Sequence, residues 1–324
     1  MQSSYDLVAD EFSAVDQLIH RQLVSDVGLV EDISQHLVTG GGKRIRPLVT
    51  LLLSGALGDS NSARHIKLAT AIEFLHTATL LHDDVVDMSS LRRGRPTANA
   101  NWGNASSVLV GDFVYSKAFQ LMVAIGELEV MEIISAATTK IAEGEVKQLA
   151  AIGNLSLTRD DYFTIIERKT AQLFEAACQS CAAISSTGQT TAERLGQFGR
   201  QLGLAFQLID DYLDYAGNDA DLGKHVGDDL NEGKLTLPLI DALATTREQA
   251  PTQHRQLSDI IQQKDLSQIA TVIEITSGCG ALDRTREAAQ QCIAEAKAQL
   301  TSLPDSTHKT ALFTVSDFVL ARSQ

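Results

Sequence analysis

The chain has 324 residues, 44% of them hydrophobic, with only 5 Pro, a composition able to bury a large core and unlike that of a disordered chain. Its formal net charge of -14 argues against a nucleic-acid surface and against attraction to anionic lipid, so any anionic ligand requires a locally basic site. The 4 cysteines are few and unevenly placed, which argues against a disulfide scaffold and for a reducing, cytoplasmic compartment. The opening MQSSYDLVADEF lacks a basic stretch before an apolar core, and the run PLVTLLLSGALG at 47–58 is short for a bilayer. Neither export nor a membrane anchor is expected.

Apolar residues recur at three-to-four spacing, as at Ile66, Ala69, Ile72, Leu75 and Leu80, while period-two runs of β-branched residues are scarce. The expected fold class is all-α. Helices are predicted over about 5–24, 29–38, 44–57, 62–87, 104–125 and 127–150. Thr158-x-x-Asp161 and Thr190-x-x-Glu193 read as capping boxes opening two long helices, roughly 158–186 and 190–215, with shorter helices from 236 onward. No linker rich in Gly, Ser or Pro interrupts the chain, so 1–324 is expected to form a single domain. Two polar loops break the pattern, MSSLRRGRPTANANWG at 88–103 and AGNDADLGKHVGDDLNEGK at 216–234.

Each loop follows a cluster of aspartates on a helix end, LLHDDVVD at 80–87 and LIDDYLDY at 208–215. Asp83 and Asp87 lie a turn apart on one helix face with Asp84 beside them, and Asp210, Asp211 and Asp214 repeat the arrangement. Like charges so placed repel by a few tenths of a kcal/mol per pair, at the helix end where the macrodipole also disfavours negative charge. A divalent cation removes that penalty, and all-oxygen ligands with room for water and phosphate suit Mg²⁺ better than zinc. One such motif alone reads as a solvated helix end; two in leucine-rich surroundings point to metal.

Basic residues stand close to both clusters. Arg92 and Arg93 follow Asp87, GGGKRIRP at 40–47 places Lys43, Arg44 and Arg46 between a glycine turn and a helix start, and Lys224 and Lys234 each follow a glycine. Glycine turns let the chain close around phosphate, and helix N-termini favour anions. Carboxylates for Mg²⁺ together with several Lys/Arg clusters describe a diphosphate site.

GGGKRIRP, EFLHTATLLHDDVVDMSSLRRGRPTAN, ERKTAQLF and GLAFQLIDDYLDY, in this order, resemble the trans-isoprenyl diphosphate synthases; the likeness covers most of the chain and weakens after about residue 250. The resemblance implies a bundle of about ten or more helices around a central apolar cavity, the isoprenoid synthase fold. It implies that Asp83 and Asp87 hold two Mg²⁺ ions on one side of an allylic diphosphate, and that Asp210, assisted by Asp211 and Asp214, holds a third. Asp84 is grouped with the catalytic residues. By the same resemblance Arg92, Lys169 and Lys224 bind that diphosphate with Lys234 nearby, Lys43, Arg46, His76 and Arg93 bind isopentenyl diphosphate, and Thr170 and Gln207 line the cavity where a carbocation forms. The implied partners are the two diphosphate substrates and a second copy of the chain in a homodimer, with no nucleic acid and only transient membrane contact for product release. Ala78 and Thr79 stand about 6–8 Å along the helix from Asp83, where short-chain members carry an aromatic ring. Small residues there imply a long product, such as octaprenyl diphosphate for a quinone side chain, with Met122 as the candidate floor of the tunnel.

Other patterns carry less. Cys178-x-x-Cys181 falls inside a helix with no second close pair, so the cysteines read as packing residues. His76 and His82 are not at the spacing of a shared metal face. His82 receives no assignment. Asp219-x-Asp221 lacks the third oxygen ligand of a calcium loop because Gly223 occupies its place. Arg44 reads as a support for its loop, and Trp102 as packing under the first loop. A cyclase has no use for GGGKRIRP, because it binds no second diphosphate, and a non-catalytic subunit tolerates loss of aspartates that are all present.

Overall fold

The structure, a computed structural model, describes residues 1–60, 62–216 and 226–322. The fold is all-α, and the only strands among the described residues are the two-residue arms of one antiparallel hairpin, β1 (Leu91–Arg92) and β2 (Arg95–Pro96). Two compact units divide the chain, one of Met1–Ala137, Leu173–Gly199 and Ala298–Val315, the other of Thr138–Gln172, Arg200–Lys297 and Ser316–Gln324.

The first unit is built on α5 (Ala63–Val86), whose Leu68, Ala69, Ala71, Ile72, Phe74, Leu75, Ala78 and Leu81 are all buried. Apolar residues on every side make it a core helix rather than a surface one. Around it lie α1 (Gln2–Leu7), α2 (Ala9–Gln22), α3 (Gly28–Thr39), α4 (Ile45–Ala56), α6 (Ala98–Trp102) and α7 (Asn104–Ile125). Helix α7 runs antiparallel to α5: His82 Nε2 meets the Val108 carbonyl at 3.2 Å, Lys67 Nζ donates to the Ala124 carbonyl at 2.8 Å, and Arg64 pairs with Glu127 at 2.5 Å. Among the described residues α7 alone is long and apolar enough to cross a membrane by length and composition. Its apolar side here packs on α5, with Val110, Val114, Ala118, Leu121 and Met122 buried.

The second unit takes the later part of α8 (Leu128–Ala150), then α9 (Arg159–Ile166), the later part of α11 (Gln189–Ala216), and α12 (Asp228–Glu232), α13 (Leu237–Gln249), α14 (Pro251–Gln263), α15 (Ile269–Gly278) and α16 (Ala281–Gln299). The Thr158 cap forms as expected: its hydroxyl accepts from the Asp161 amide at 3.1 Å and donates to the Asp161 carboxylate at 2.7 Å.

Several expected boundaries differ. The segment at 5–24 breaks at Val8, which leaves the helical region with φ −122 and ψ 28. The long helix expected over 158–186 passes through a π-helical turn at Glu167–Ala171 before continuing as α10 (Gln172–Ile184). Helix α11 starts at Gln189, so Thr190 is inside it, and Gln189 rather than Thr190 reaches Glu193, at 2.9 Å. The stretch 88–103 holds the hairpin and α6 rather than only loop, and α12 lies within 216–234. Because the Thr158 hydroxyl satisfies an otherwise orphaned amide, Thr158→Ala is expected to cost about 1 kcal/mol in urea unfolding, without changing the slope of the transition.

Candidate active site

In the first unit a basic cavity is lined by Arg44, Glu73, His76, Asp84, Arg92 and Arg93. Gly41 and Gly42 carry φ of 65 and 140, and Arg44 and Arg93 also lie in the left-handed region, at φ 41 and 53. This strained turn brings the Gly41 carbonyl to Arg93, whose Nη1 donates to it. A Cβ on Gly42 would lie 2.3 Å from Arg93 Nη1, so glycine is what lets the guanidinium lie flat on the loop.

Arg46, in the first turn of α4, rests on the Phe174 ring with its guanidinium carbon 4.4 Å from the centroid. Burial pushes its pKa down to about 10, with Glu73 opposing and Arg93 adding to the shift, so it remains cationic at neutral pH. His76, a turn along α5 from Glu73, is held well below its ordinary pKa by burial and by Arg46, Arg93 and Arg92. Glu73 is pushed up by burial, against the pull of Arg44, Arg46 and Arg93. Arg44 ion-pairs with Asp16 and stands 4.0 Å from Glu73, a supporting geometry for the loop. Lys43 is exposed, and its carbonyl accepts from the Tyr5 hydroxyl.

The first aspartate cluster forms the last turn of α5. Asp83 and Asp87 are half-buried, but Asp84 is only 4% exposed. Asp84 Oδ1 accepts from Arg92 Nε at 2.8 Å and Nη2 at 2.7 Å, so Asp84 holds Arg92. Burial raises the Asp84 pKa and Arg92 opposes the rise.

In the second unit the π-turn carries Lys169 and Thr170. The backbone of this turn approaches α8 closely: a Cβ on Gly144 would lie 2.8 Å from the Lys169 amide nitrogen. Lys169 Nζ donates to Glu145 at 2.6 Å and to Gln148 at 2.8 Å. The Thr170 hydroxyl donates to Gln207 Oε1 at 2.8 Å, and Gln207 Nε2 donates to Asp211 Oδ1 at 2.7 Å. Tyr162 donates to Asp211 Oδ2 at 2.5 Å. Asp214 is fully buried and accepts from the Asp229 amide at 3.1 Å. Asp210, with a side chain 36% exposed, pairs with Arg322 at 3.3 Å, and Arg322 also covers the Phe206 ring at 4.8 Å. Lys234 pairs with Glu232 at 2.6 Å. Lys224 lies outside the described residues, as do Asp219, Asp221 and Gly223.

Ala78 and Met122 are both fully buried, and the Thr79 hydroxyl donates to the His76 carbonyl at 2.8 Å. Because α7 runs antiparallel to α5 and Lys67 reaches Ala124, Met122 lies on the Lys67 side of Ala78. The stretch of α5 from Ala78 back to Lys67 is about 16 Å at ~1.5 Å per residue, away from the aspartates.

The structure therefore gathers Arg46, His76, Arg92, Arg93 and the first aspartate cluster in one unit, and Lys169, Thr170, Gln207 and the second cluster in the other. Glu73, Glu145, Tyr162 and Arg322 are partners that sequence reading missed. Glu73 stands inside a quoted motif as a charge on an apolar helix, a signal that could have been used; Tyr162 offers none, since a tyrosine at helical spacing reads as core.

Residues 27–276 match the family model described as polyprenyl synthetase. The chain is 44% identical to the octaprenyl diphosphate synthase of Escherichia coli (strain K12), over 98% of each chain. It is also 44% identical to an all-trans-nonaprenyl-diphosphate synthase (geranyl-diphosphate specific) of Rhodobacter capsulatus, over 98% of this chain and 96% of that one. The fold superposes on a polyprenyl synthase from Caulobacter crescentus, complexed with calcium and isoprenyl diphosphate, with a TM-score of 0.93 at 40% identity, over 99% of this chain and 97% of that one.

The Gly42 geometry has a direct test. A methyl group there displaces Arg93 and removes one charge-assisted contact, so Gly42→Ala is expected to weaken binding of inorganic diphosphate by about tenfold to a hundredfold in calorimetry. Unchanged affinity would mean that Arg93 does not touch the anion.

Proposed function

Because the chain belongs to the polyprenyl synthetase family, we propose that it condenses isopentenyl diphosphate with an allylic diphosphate, farnesyl diphosphate by preference, and repeats the step to an all-trans octaprenyl diphosphate. The observation that carries the reading is the basic cavity under the Gly41–Gly42 turn, which stands beside the aspartates of α5.

Lys43, Arg46, His76 and Arg93 hold the diphosphate of isopentenyl diphosphate in this reading. A neutral His76 adds a hydrogen bond without adding to the repulsion among the arginines. Arg92, fixed by Asp84, and Lys169, fixed by Glu145 and Gln148, bind the diphosphate of the allylic substrate, with Lys224 and Lys234. Thr170 and Gln207 direct oxygen atoms at the carbon where positive charge develops as that diphosphate leaves. The isopentenyl double bond then attacks, and a proton is lost to the departed diphosphate. Apolar helices around the site keep water from the cation.

Mg²⁺ fits the donor set. Asp83, Asp87 and Asp210 are half-buried carboxylates with an approach from solvent. That suits an ion which keeps several waters and takes one or two carboxylates plus phosphate oxygen. Asp83 and Asp87 would hold two ions and Asp210, with Asp211 and Asp214 behind it, a third. Bound there, Mg²⁺ neutralises charge on the leaving diphosphate. The reading extends to a single domain, a cytoplasmic homodimer, and transient contact with a membrane when the long product leaves for a quinone pathway.

A nonaprenyl product is the second reading, since the relative bearing that name is as similar as the octaprenyl one. The test is mass analysis of the dephosphorylated product made from farnesyl and isopentenyl diphosphates with Mg²⁺. An octaprenyl alcohol supports the proposal, a nonaprenyl alcohol moves it to the second reading, and no condensation at all overturns it. Asp83→Ala and Asp210→Ala are expected to lower turnover by several orders of magnitude while leaving the fold intact by circular dichroism. For chain length, Ala78→Phe places a ring in a fully buried position and is expected to stop the product at roughly fifteen to twenty carbons, whereas Met122→Ala lengthens it. Unchanged length in active Ala78→Phe would show that the growing chain does not pass this turn.

A further inference from the structure

Tyr162 is 2% exposed, stands on α9 and belongs to none of the substrate-binding groups above. Its hydroxyl donates to Asp211 Oδ2 at 2.5 Å, while Asp211 Oδ1 accepts from Gln207 Nε2 at 2.7 Å. Gln207 Oε1 in turn accepts from the Thr170 hydroxyl at 2.8 Å. Thr170, Gln207, Asp211 and Tyr162 therefore form one chain of hydrogen bonds that begins in the π-turn and returns to α9.

The polarity of this chain is determined by Asp211. An ionised carboxylate only accepts, so whatever faces it must donate. Gln207 consequently turns its amide nitrogen to Asp211 and keeps its oxygen on the opposite side. A glutamine without such a neighbour could present either end. Burial, reinforced by the Asp211 charge, keeps the Tyr162 phenol well above its ordinary pKa, so it stays a donor throughout the physiological range. Asp211 is itself only 3% exposed, which makes its hydrogen bonds to Tyr162 and Gln207 expensive to lose.

We propose that Tyr162 is a positioning residue for the reaction: by pinning one oxygen of Asp211, it aims the other at Gln207 and so holds the glutamine oxygen, not its amino group, toward the reacting carbon. The inference rests on the reading that Gln207 faces the site where the cation forms. Removing the phenolic hydroxyl leaves Asp211 free to rotate toward another donor, and the Gln207 amide free to turn over. An amino group aimed at a developing cation repels what the oxygen would stabilise.

The test is a double-mutant cycle of Tyr162→Phe and Gln207→Ala, read in kcat, in KM for each diphosphate, and in Mg²⁺ binding to the resting protein by calorimetry. Tyr162→Phe is expected to lower kcat about tenfold to a hundredfold with both KM values and the Mg²⁺ affinity unchanged, and to cause no further loss in the Gln207→Ala background. Asp211→Asn, which keeps the shape but can no longer dictate the amide orientation, is expected to show the same kcat loss, and serves if Tyr162→Phe proves unstable. Full activity in Tyr162→Phe, or an equal loss in both backgrounds, overturns the positioning role. Weakened Mg²⁺ binding in Tyr162→Phe also overturns it, because the phenol would then act through the metal site rather than through Gln207. An unaffected kcat in Gln207→Ala, by contrast, overturns the reading on which the inference rests.

Discussion

Like charges held close together in an apolar surrounding repel, and the geometry around them decides what relieves the repulsion. Arg44, Arg46 and Arg93 all act on Glu73, and Arg44 also pairs with Asp16. Burial lowers Arg46 to about 10 and raises Glu73, so each is strained toward neutrality by desolvation and pulled back by the other. Glu73 and Asp16 against three guanidiniums leave an excess of positive charge fixed in place before any ligand arrives. A dianionic group entering such a cavity meets donors that need not reorganise, and this is where electrostatic binding is strongest.

The aspartates follow the same logic with the opposite sign. In both motifs the structure separates two kinds of carboxylate. Asp84, Asp211 and Asp214 are buried and accept from Arg92, from Tyr162 and Gln207, and from the Asp229 amide. Asp83, Asp87 and Asp210 keep access to solvent. The buried members tie the helix end to its neighbours, and the others stand at its solvent-facing edge. A motif with several aspartates thus combines a rigid base and an accessible edge within one helical turn.

How much of this was legible in sequence depends on which physics set it. Helices α5, α7 and α8 were readable because burial imposes a three-to-four period over many residues. The basic turn at 40–47 was readable because only glycine supplies the positive φ found at Gly41 and Gly42. The π-turn at Glu167–Ala171 was not, since one extra residue in a turn leaves the apolar pattern on either side intact and passes for a continuous helix. The hairpin at Leu91–Arg92 and Arg95–Pro96 was missed because strands of two residues have no period to detect. Division of the aspartates into buried and accessible members was equally hidden: identical side chains three or four apart differ only in what packs on them.

A single helix ties the chemistry to the size of the product. Helix α5 carries Glu73 and His76 in the basic cavity, Asp83 and Asp87 at its end, and the small buried Ala78 between them. Against it lies α7, antiparallel, with Met122 farther from the aspartates than Ala78. A change at Ala78 therefore sits within about two turns of both the basic cavity and the first aspartate cluster, at ~5.4 Å per turn, whereas one at Met122 acts at a distance from both. Core positions tolerate changes of volume only when neighbours can shift, and Ala78 is fully buried on the helix that carries His76 and Asp83. Under the proposed function, length control near the aspartates would for that reason be coupled to turnover. Length control on α7 would be separable from it, because Met122 lies farther along α5 from the charged end.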